Sequence, residues 1–300
     1  MTGPLMSRAV ASLCVLSALL LSPAPGEAFV CSTTSKTVKC LRWLSSNCAY
    51  LRVNANGAKD VGDGSDIAAV KRSAENWHGV TASCSYFRFL FLDESPDVRA
   101  YFDRDGGYNY NAIVWETTWP SEYDKNAAAI TTVMYIERQQ GDPMDGQLLD
   151  ADIELNDQSF RFGTGGEKDR TDVENTVTHE MGHFAGLDHP CDDGQRIPTP
   201  KDHTGAVIPS CVPQYRLPQT MRDSTMFNFA DMGETKKRTP EADDVLGMCA
   251  LYPKAEDPGI CAPPKMPEQG CSLARGAGLP VGLPALLLLL VLAAAALRRR

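Results

Sequence analysis

Hydrophobic and polar residues alternate in several short segments of this chain and recur at helical spacing in others. The alternation over Ala49–Val53 predicts a β-strand. In Leu148–Leu155, apolar side chains alternate with Asp152 and Glu154, so we predict a strand with one buried face and one solvent-exposed face. Aromatic and apolar runs predict further strands at Tyr86–Leu92, Asn111–Trp115 and Ala128–Ile136.

Helices are predicted between and after these strands. Four apolar residues fall on one helical face: Ile67, Val70, Ala74 and Trp77. Thr171 followed by Glu174 forms a capping box, which predicts that a helix starts at about Asp172. A last helix is predicted from Thr239-Pro240 to near Tyr252-Pro253, because proline favours the first helical position. Strands and helices in this order predict a single α/β (α+β) domain.

The N-terminal 28 residues have the features of a secretory signal peptide. Arg8 supplies a positive start, Ala9–Leu21 is an apolar run, and Gly26-Glu27-Ala28 offers small residues before a cut. We therefore expect the chain to be exported and the folded domain to span residues 29–253.

The C-terminal end is also apolar. Residues 276–297 carry no charge and Arg298–Arg300 follow, which predicts a transmembrane or sorting segment over 276–300, after a linker over 254–275. The pattern Gly270-Cys271-Ser272, an apolar span and terminal arginines resembles the MYXO-CTERM type of sorting tail. That resemblance implies removal of the tail at Cys271 and display at the cell surface. Plain membrane anchoring fits the same residues.

Composition narrows the possible functions. The chain has 300 residues, of which 43% are hydrophobic and 22% charged, which is typical of a folded globular protein. The formal net charge is −9, and residues 29–270 alone carry −13. So acidic a body argues against nucleic acid as a partner.

The cysteines agree with export. Apart from Cys14 in the signal peptide and Cys271 in the sorting motif, eight of the ten remain, and an even number in an exported chain predicts up to four disulfides. Proximity in the sequence suggests pairing within Cys31–Cys84, and pairing of Cys191 with Cys211. No CxxC pair is present, so a thiolate zinc site is not indicated.

Three of the five histidines form the pattern HExxHxxGxxH. His179 and His183 are four residues apart on a predicted helix, so their rings lie roughly 40° apart around its axis and can reach one point. Gly186 allows the helix to stop and the chain to turn, which returns His189 as a third ligand. Three neutral imidazoles suit zinc and leave one position open, which is the catalytic pattern. Histidines that merely pack or face solvent are the alternative.

Glu180 lies one step from His179, too far around the helix to ligate easily. It can instead reach a water near the metal, take its proton and pass one to a leaving group.

On these residues the sequence resembles the metzincin metalloproteases, and among them the matrixin-like group. The long histidine motif is joined by Ser224-Thr225-Met226-Phe227, similar to the Met-turn, by Asp150–Asn156, similar to the edge strand before the active-site helix, and by Thr239–Pro253, similar to the final helix. The alternative for Met226 is an ordinary core methionine.

The resemblance implies a zincin with a twisted mixed sheet, an active-site helix and a C-terminal helix. It implies zinc ligation by His179, His183 and His189, with Glu180 as general base and Met226 beneath the site. It also implies that the edge strand binds an extended substrate by β-addition.

Two features depart from that family or remain open. Met226 follows His189 by 37 residues. The stretch between them is predicted to be a surface loop at one side of the cleft, closed by a disulfide between Cys191 and Cys211. The acidic loops Asp60–Asp66 and Asp103–Gly107 are candidates for calcium, although such loops are more often simply solvated.

The sequence thus favours an exported zinc-dependent endopeptidase that acts on proteins or peptides at the cell surface or outside the cell. Its contact with the membrane would be through the C-terminal segment, unless that segment is cleaved. One alternative is a non-catalytic adhesin or binding module on a metalloprotease fold. Another is a zinc hydrolase of non-peptide bonds, although the predicted edge strand favours peptides.

Overall fold

The structure, a computed structural model, describes residues 29–105, 109–194 and 199–263. The predicted signal peptide and the predicted segment 276–300 lie outside these residues. Within the described ranges, no helix is both long enough and apolar enough to cross a bilayer.

The longer elements follow the hydrophobic pattern closely. In chain order the strands and α-helices are β1 (Val30–Cys31), β2 (Cys48–Asn54), α1 (Ser65–Thr81), β3 (Arg88–Ser95), β4 (Asn111–Trp115), β5 (Ala129–Tyr135), β6 (Leu148–Leu155), β7 (Phe162–Gly163), β8 (Thr171–Asp172), α2 (Val173–Phe184), β9 (Leu187–Asp188), α3 (Gln219–Asp223) and α4 (Ala242–Leu251). The prediction of a mixed α/β fold is confirmed.

Five strands form the main sheet in the order β3-β2-β4-β6-β5. The first four strands run parallel to one another, and β5 runs antiparallel to β6. One face of the sheet packs against α1 and α2. The core between them contains fully buried Leu51, Ile113 and Ile153 from the sheet, Trp77 from α1 and Phe184 from α2.

Direct contacts hold α2 beside α1. The Trp77 indole Nε1 donates to the carbonyl of Thr178 at 2.9 Å. Arg72 forms an ion pair with the buried carboxylate of Glu174 at 2.8 Å. The helix that carries the histidine motif is therefore fixed between α1 and the sheet.

The ends of two helices differ slightly from the prediction. Thr171 belongs to β8, and Asp172 caps α2 by accepting the N–H of Asn175 at 2.9 Å. Helix α4 starts at Ala242 rather than at Pro240, because a capping box forms one residue before it, at Glu241.

The prediction that Asp150–Asn156 forms an edge strand is wrong. These residues belong mostly to β6, which lies between β4 and β5. The edge strand beside α2 is β5, which adds to the outside of β6 as an antiparallel strand. Both strands are apolar enough to be interior, so the sequence pattern does not reveal which of them is outermost.

The prediction that β6 has a solvent-exposed face is also wrong. Asp150, Asp152 and Glu154 are all buried, because chain segments cover that face of the sheet. Asp152 accepts the main-chain N–H of Tyr101 at 2.7 Å, and Tyr123 donates its hydroxyl to Glu154 at 3.0 Å. Burial raises the pKa of Asp150 to about 7, and burial together with the nearby Asp150 carboxyl raises the pKa of Asp152 to about 8.

The eight cysteines other than Cys14 and Cys271 all form disulfides, as predicted in number but only partly in pairing. Cys31–Cys40 and Cys191–Cys211 join neighbours, as expected. Cys48–Cys261 and Cys84–Cys249 instead join residues 213 and 165 positions apart, so pairing within Cys31–Cys84 holds for one bond only. The fold brings α4 and the chain after it against β2 and the end of α1. Four disulfides are typical of extracellular proteins.

Candidate metal centre

The three histidines of the motif meet at the C-terminal end of α2. His179 and His183 project from successive turns of the helix. Gly186 then adopts a φ of 94°, which favours glycine, and a Cβ there would lie 2.1 Å from the carbonyl oxygen of Leu41. The chain turns at this point and passes through β9, which pairs with β1 and returns His189 to the other two rings.

The ring geometry fits a single metal ion. The Nε2 atoms of His179 and His183 are 3.2 Å apart, those of His183 and His189 are 3.0 Å apart, and those of His179 and His189 are 3.4 Å apart. Two ligands bound to zinc at about 2.05 Å with tetrahedral angles lie roughly 3.3 Å apart. The three nitrogens therefore have the spacing expected of three ligands on one metal ion.

Hydrogen bonds at the far side of two rings fix which nitrogen faces inward. His179 donates from Nδ1 to the carbonyl of Thr225 at 2.6 Å, and His183 donates from Nδ1 to the carbonyl of Leu187 at 3.0 Å. With Nδ1 protonated, each neutral ring directs the Nε2 lone pair at the common point. Lone pairs facing each other at this distance repel unless a cation lies between them. The donor set thus fits a metal ion.

Electrostatics favour the neutral form of His179. Burial lowers its pKa well below the ordinary value, and the cationic side chain of Lys237 acts in the same direction. A neutral imidazole is the form that binds a metal.

A turn beneath α2 supports this arrangement. Both oxygens of the buried Asp244 carboxylate are used: one accepts the N–H of Thr225 at 2.7 Å and the other accepts the N–H of Met226 at 3.1 Å. The Met226 side chain is buried against α2, since a Cβ built on Gly182 would lie 2.2 Å from its Sδ. Asp244 therefore holds the turn whose Thr225 carbonyl orients His179.

Glu180 is not one of the three candidate ligands, and its carboxylate contacts the edge strand of the sheet. Its side chain is buried, and Oε2 accepts the hydroxyl of Thr131, in β5, at 2.6 Å. Burial raises the pKa of Glu180, while the nearby His183 and the Thr131 hydrogen bond oppose that rise. A carboxylate in this setting can exchange protons with a water near the three rings.

Strand β5 presents its main chain at the open edge of the sheet beside α2. The N–H of Asn156 donates to the carbonyl of Ala128 at 2.9 Å, which places residues 128 and 156 in a hydrogen-bonded pair. Because such pairs alternate along antiparallel strands, Ala129, Thr131 and Val133 direct their N–H and C=O groups away from β6.

The segment between His189 and Met226 is attached to the site at both ends. The Cys191–Cys211 disulfide packs with Leu217 and with Phe227, the residue after Met226, in a small apolar cluster. The predicted disulfide across this segment is confirmed, and it fixes the loop next to the Thr225–Met226 turn.

The sequence did not single out three residues that the fold places at the site: Thr131, Asp244 and Lys237. Lys237 is buried beside α2, and its ammonium donates to the carbonyl of Phe227. Burial lowers the pKa of Lys237 to about 8. Two acidic residues in the first turn of the last helix are the signal that points to Asp244. Nothing in the local sequence marks Thr131 or Lys237.

The described residues give the calcium hypothesis little support. In the loop Asp60–Asp66, the Asp66 carboxylate accepts the main-chain N–H of Ala58 at 2.6 Å. The other candidate loop, Asp103–Gly107, falls partly outside the described residues. In the part of the chain that the structure covers, the three histidines form the one group of three or more candidate ligands.

Fold and site together define a disulfide-bonded mixed α/β protein with a three-histidine candidate metal centre. No protein-family model matches the chain, and no curated protein matches its sequence.

Proposed function

We propose that this chain is an exported zinc-dependent endopeptidase of the metzincin type, with matrixin-like organisation. The observation that carries the proposal is the convergence of three Nε2 atoms, within 3.4 Å of one another, from the motif HExxHxxGxxH. The Thr225–Met226 turn under α2 supports it, because it lies where the resemblance to metzincins expects a Met-turn.

Zinc is the metal that these ligands favour. Three imidazoles with no thiolate or carboxylate among them suit zinc, and three protein ligands leave a position for substrate or water. His179, His183 and His189 would hold the ion, and the carbonyls of Thr225 and Leu187 would keep two of the rings oriented.

Glu180 is the residue that moves protons in the proposed reaction. A zinc ion bound by the three histidines supplies Lewis acidity toward the oxygens of a substrate carbonyl and of water. Glu180 accepts a proton from the attacking water, and the same carboxyl then donates a proton to the amine that leaves when the peptide bond breaks. Its burial keeps bulk water from competing for that proton.

Peptides in extended conformation are the proposed substrates. The outward main-chain groups of Ala129, Thr131 and Val133 can pair with a substrate strand, as in other cases of β-addition. A strand bound there would pass directly beside Glu180, because Thr131 is part of that edge strand and its hydroxyl contacts the Glu180 carboxylate.

The proposed location is the cell exterior. The predicted signal peptide and the four disulfides agree on export. The C-terminal segment would hold the protein at the surface unless it is removed.

Metal analysis combined with peptide cleavage tests the proposal. The exported protein should contain about one zinc per chain and should cleave a mixed peptide library, and a chelator should abolish cleavage. His183→Ala should lose both zinc and cleavage. His203→Ala is the control, because His203 is not one of the three clustered histidines, and it should retain both. Zinc-loaded parent protein that cleaves no peptide would favour the binding-module alternative.

A further inference from the structure

Thr131, in β5, hydrogen-bonds the side chain of the proposed general base. Its Oγ1 lies 2.6 Å from Glu180 Oε2 and 3.2 Å from the main-chain oxygen of Glu180. A hydroxyl has a single proton, and the shorter contact to the carboxylate is where that proton is donated.

The main chain of Thr131 lies at the open edge of the sheet. The alternation along β5 directs the N–H and C=O of Thr131 away from β6, while its side chain points toward α2. Thr131 therefore has two roles in this geometry. Its main chain belongs to the edge that would bind an extended peptide, and its side chain contacts the Glu180 carboxylate that would act on that peptide.

We propose that Thr131 is a positioning residue for Glu180, which rests on the proposed peptidase function. Its hydroxyl holds Oε2 and so fixes the carboxylate plane, and Oε1 is then the oxygen that receives the proton of the attacking water. Thr131 keeps its own proton throughout and forms no covalent bond. A substrate strand paired with the main chain of Thr131 would lie in fixed register with that carboxylate.

This arrangement predicts separate effects on substrate binding and on turnover. Valine has nearly the shape of threonine, suits a β-strand and keeps the main chain, so Thr131→Val should leave edge pairing intact. It removes only the hydrogen bond to Oε2. Because misplacing a reacting group by about 1 Å can slow a reaction on the order of a hundredfold, the change should appear in kcat.

The neighbouring strand residue provides a matched control. Thr132 lies opposite Asp152 in the pairing with β6, and its side chain points to the other face of the sheet. Thr132→Val makes the same chemical change one residue away, without touching Glu180.

The test is steady-state kinetics on one cleaved peptide, with zinc content measured for each variant of the exported full chain. We expect Thr131→Val to lower kcat about ten- to hundredfold, with KM and zinc content within about twofold of the parent. Thr131→Ser, which restores the hydroxyl, should recover most of the loss, and Thr132→Val should match the parent.

Parental kcat in Thr131→Val would overturn the assignment of Thr131 while leaving the proposed peptidase function standing. Equal losses in Thr131→Ser and Thr131→Val, or loss of zinc in Thr131→Val, would also overturn it, because either result indicates a general structural role. Absence of cleavage by zinc-loaded parent protein would instead overturn the proposed function, and the role of Thr131 with it.

Discussion

Substitution of alanine for Gly182 in α2 and for Gly79 in α1 should change the free energy of unfolding in opposite directions. Gly182 lies within α2, and a Cβ built there would be 2.2 Å from Met226 Sδ, 3.0 Å from Met226 Cε and 3.4 Å from Trp77 Cζ2. Gly79 lies within α1, and a Cβ there would meet nothing within 4 Å. Gly182→Ala therefore tests directly whether the Thr225–Met226 turn packs beneath the candidate metal centre.

The net effect at Gly182 follows from two opposing terms. Alanine in a helix interior stabilises by about 0.5–1 kcal/mol relative to glycine. The new methyl group overlaps the Met226 sulfur, and Met226 and Trp77 are both buried, so the sulfur has little room to move. Overpacking a core by one methyl group costs about 1–3 kcal/mol. We expect a net loss of about 1–2 kcal/mol for Gly182→Ala, and a gain of about 0.5–1 kcal/mol for Gly79→Ala.

Thermal unfolding with the disulfides intact measures both variants. For a domain of this size, each kcal/mol shifts Tm by roughly 2–4 °C, so the two variants should differ by several degrees in opposite directions. If Gly182→Ala were as stable as Gly79→Ala, Met226 could not lie against α2 as described. That result would refute the argument that the turn supports the histidines.

Two further predictions concern carboxylates outside the histidine cluster. Burial raises the pKa of Asp152 from 3.8 to about 8 in the native state, so the free energy of unfolding of metal-free protein should fall as pH rises from about 4 to 8. In chemical denaturation, Asp152→Asn should make that free energy depend less steeply on pH. A parental slope in the variant would contradict the burial of β6. Asp244→Asn places an amide where the N–H groups of Thr225 and Met226 need acceptors, so zinc affinity should fall about 10–100-fold in a chelator competition assay. The control variant Asp243→Asn should change that affinity less than about threefold. Equal effects of the two substitutions would remove Asp244 from the support of His179.

Local features of the fold and site could be predicted from the sequence because they depend on short-range geometry. Two histidines four residues apart on a helix must share a face, and a glycine after the helix is needed where a Cβ would strike Leu41. Strand β4 has the predicted bounds, because a short apolar run with β-branched and aromatic residues reports the local backbone directly.

Features that depend on how distant segments meet could not be predicted. Neither β5 nor β6 carries a local sign of which one lies at the edge, and the wrong choice hid Thr131 from the candidate site. Asp152 and Glu154 have the pattern of a solvated face, and only the chain segments folded over them make that face buried. The Cys48–Cys261 bond likewise requires that the chain after α4 return to β2.

The most direct test of the central claim is a parallel measurement of bound zinc and peptide cleavage in the parent protein and in Glu180→Gln. Glutamine keeps the shape of the side chain but cannot take a proton from water, and Glu180 is not among the three candidate metal ligands. The account predicts about one zinc per chain in both proteins, with cleavage reduced at least a hundredfold in the variant. Parental turnover by Glu180→Gln, or correctly folded parent protein that binds no zinc, would contradict it.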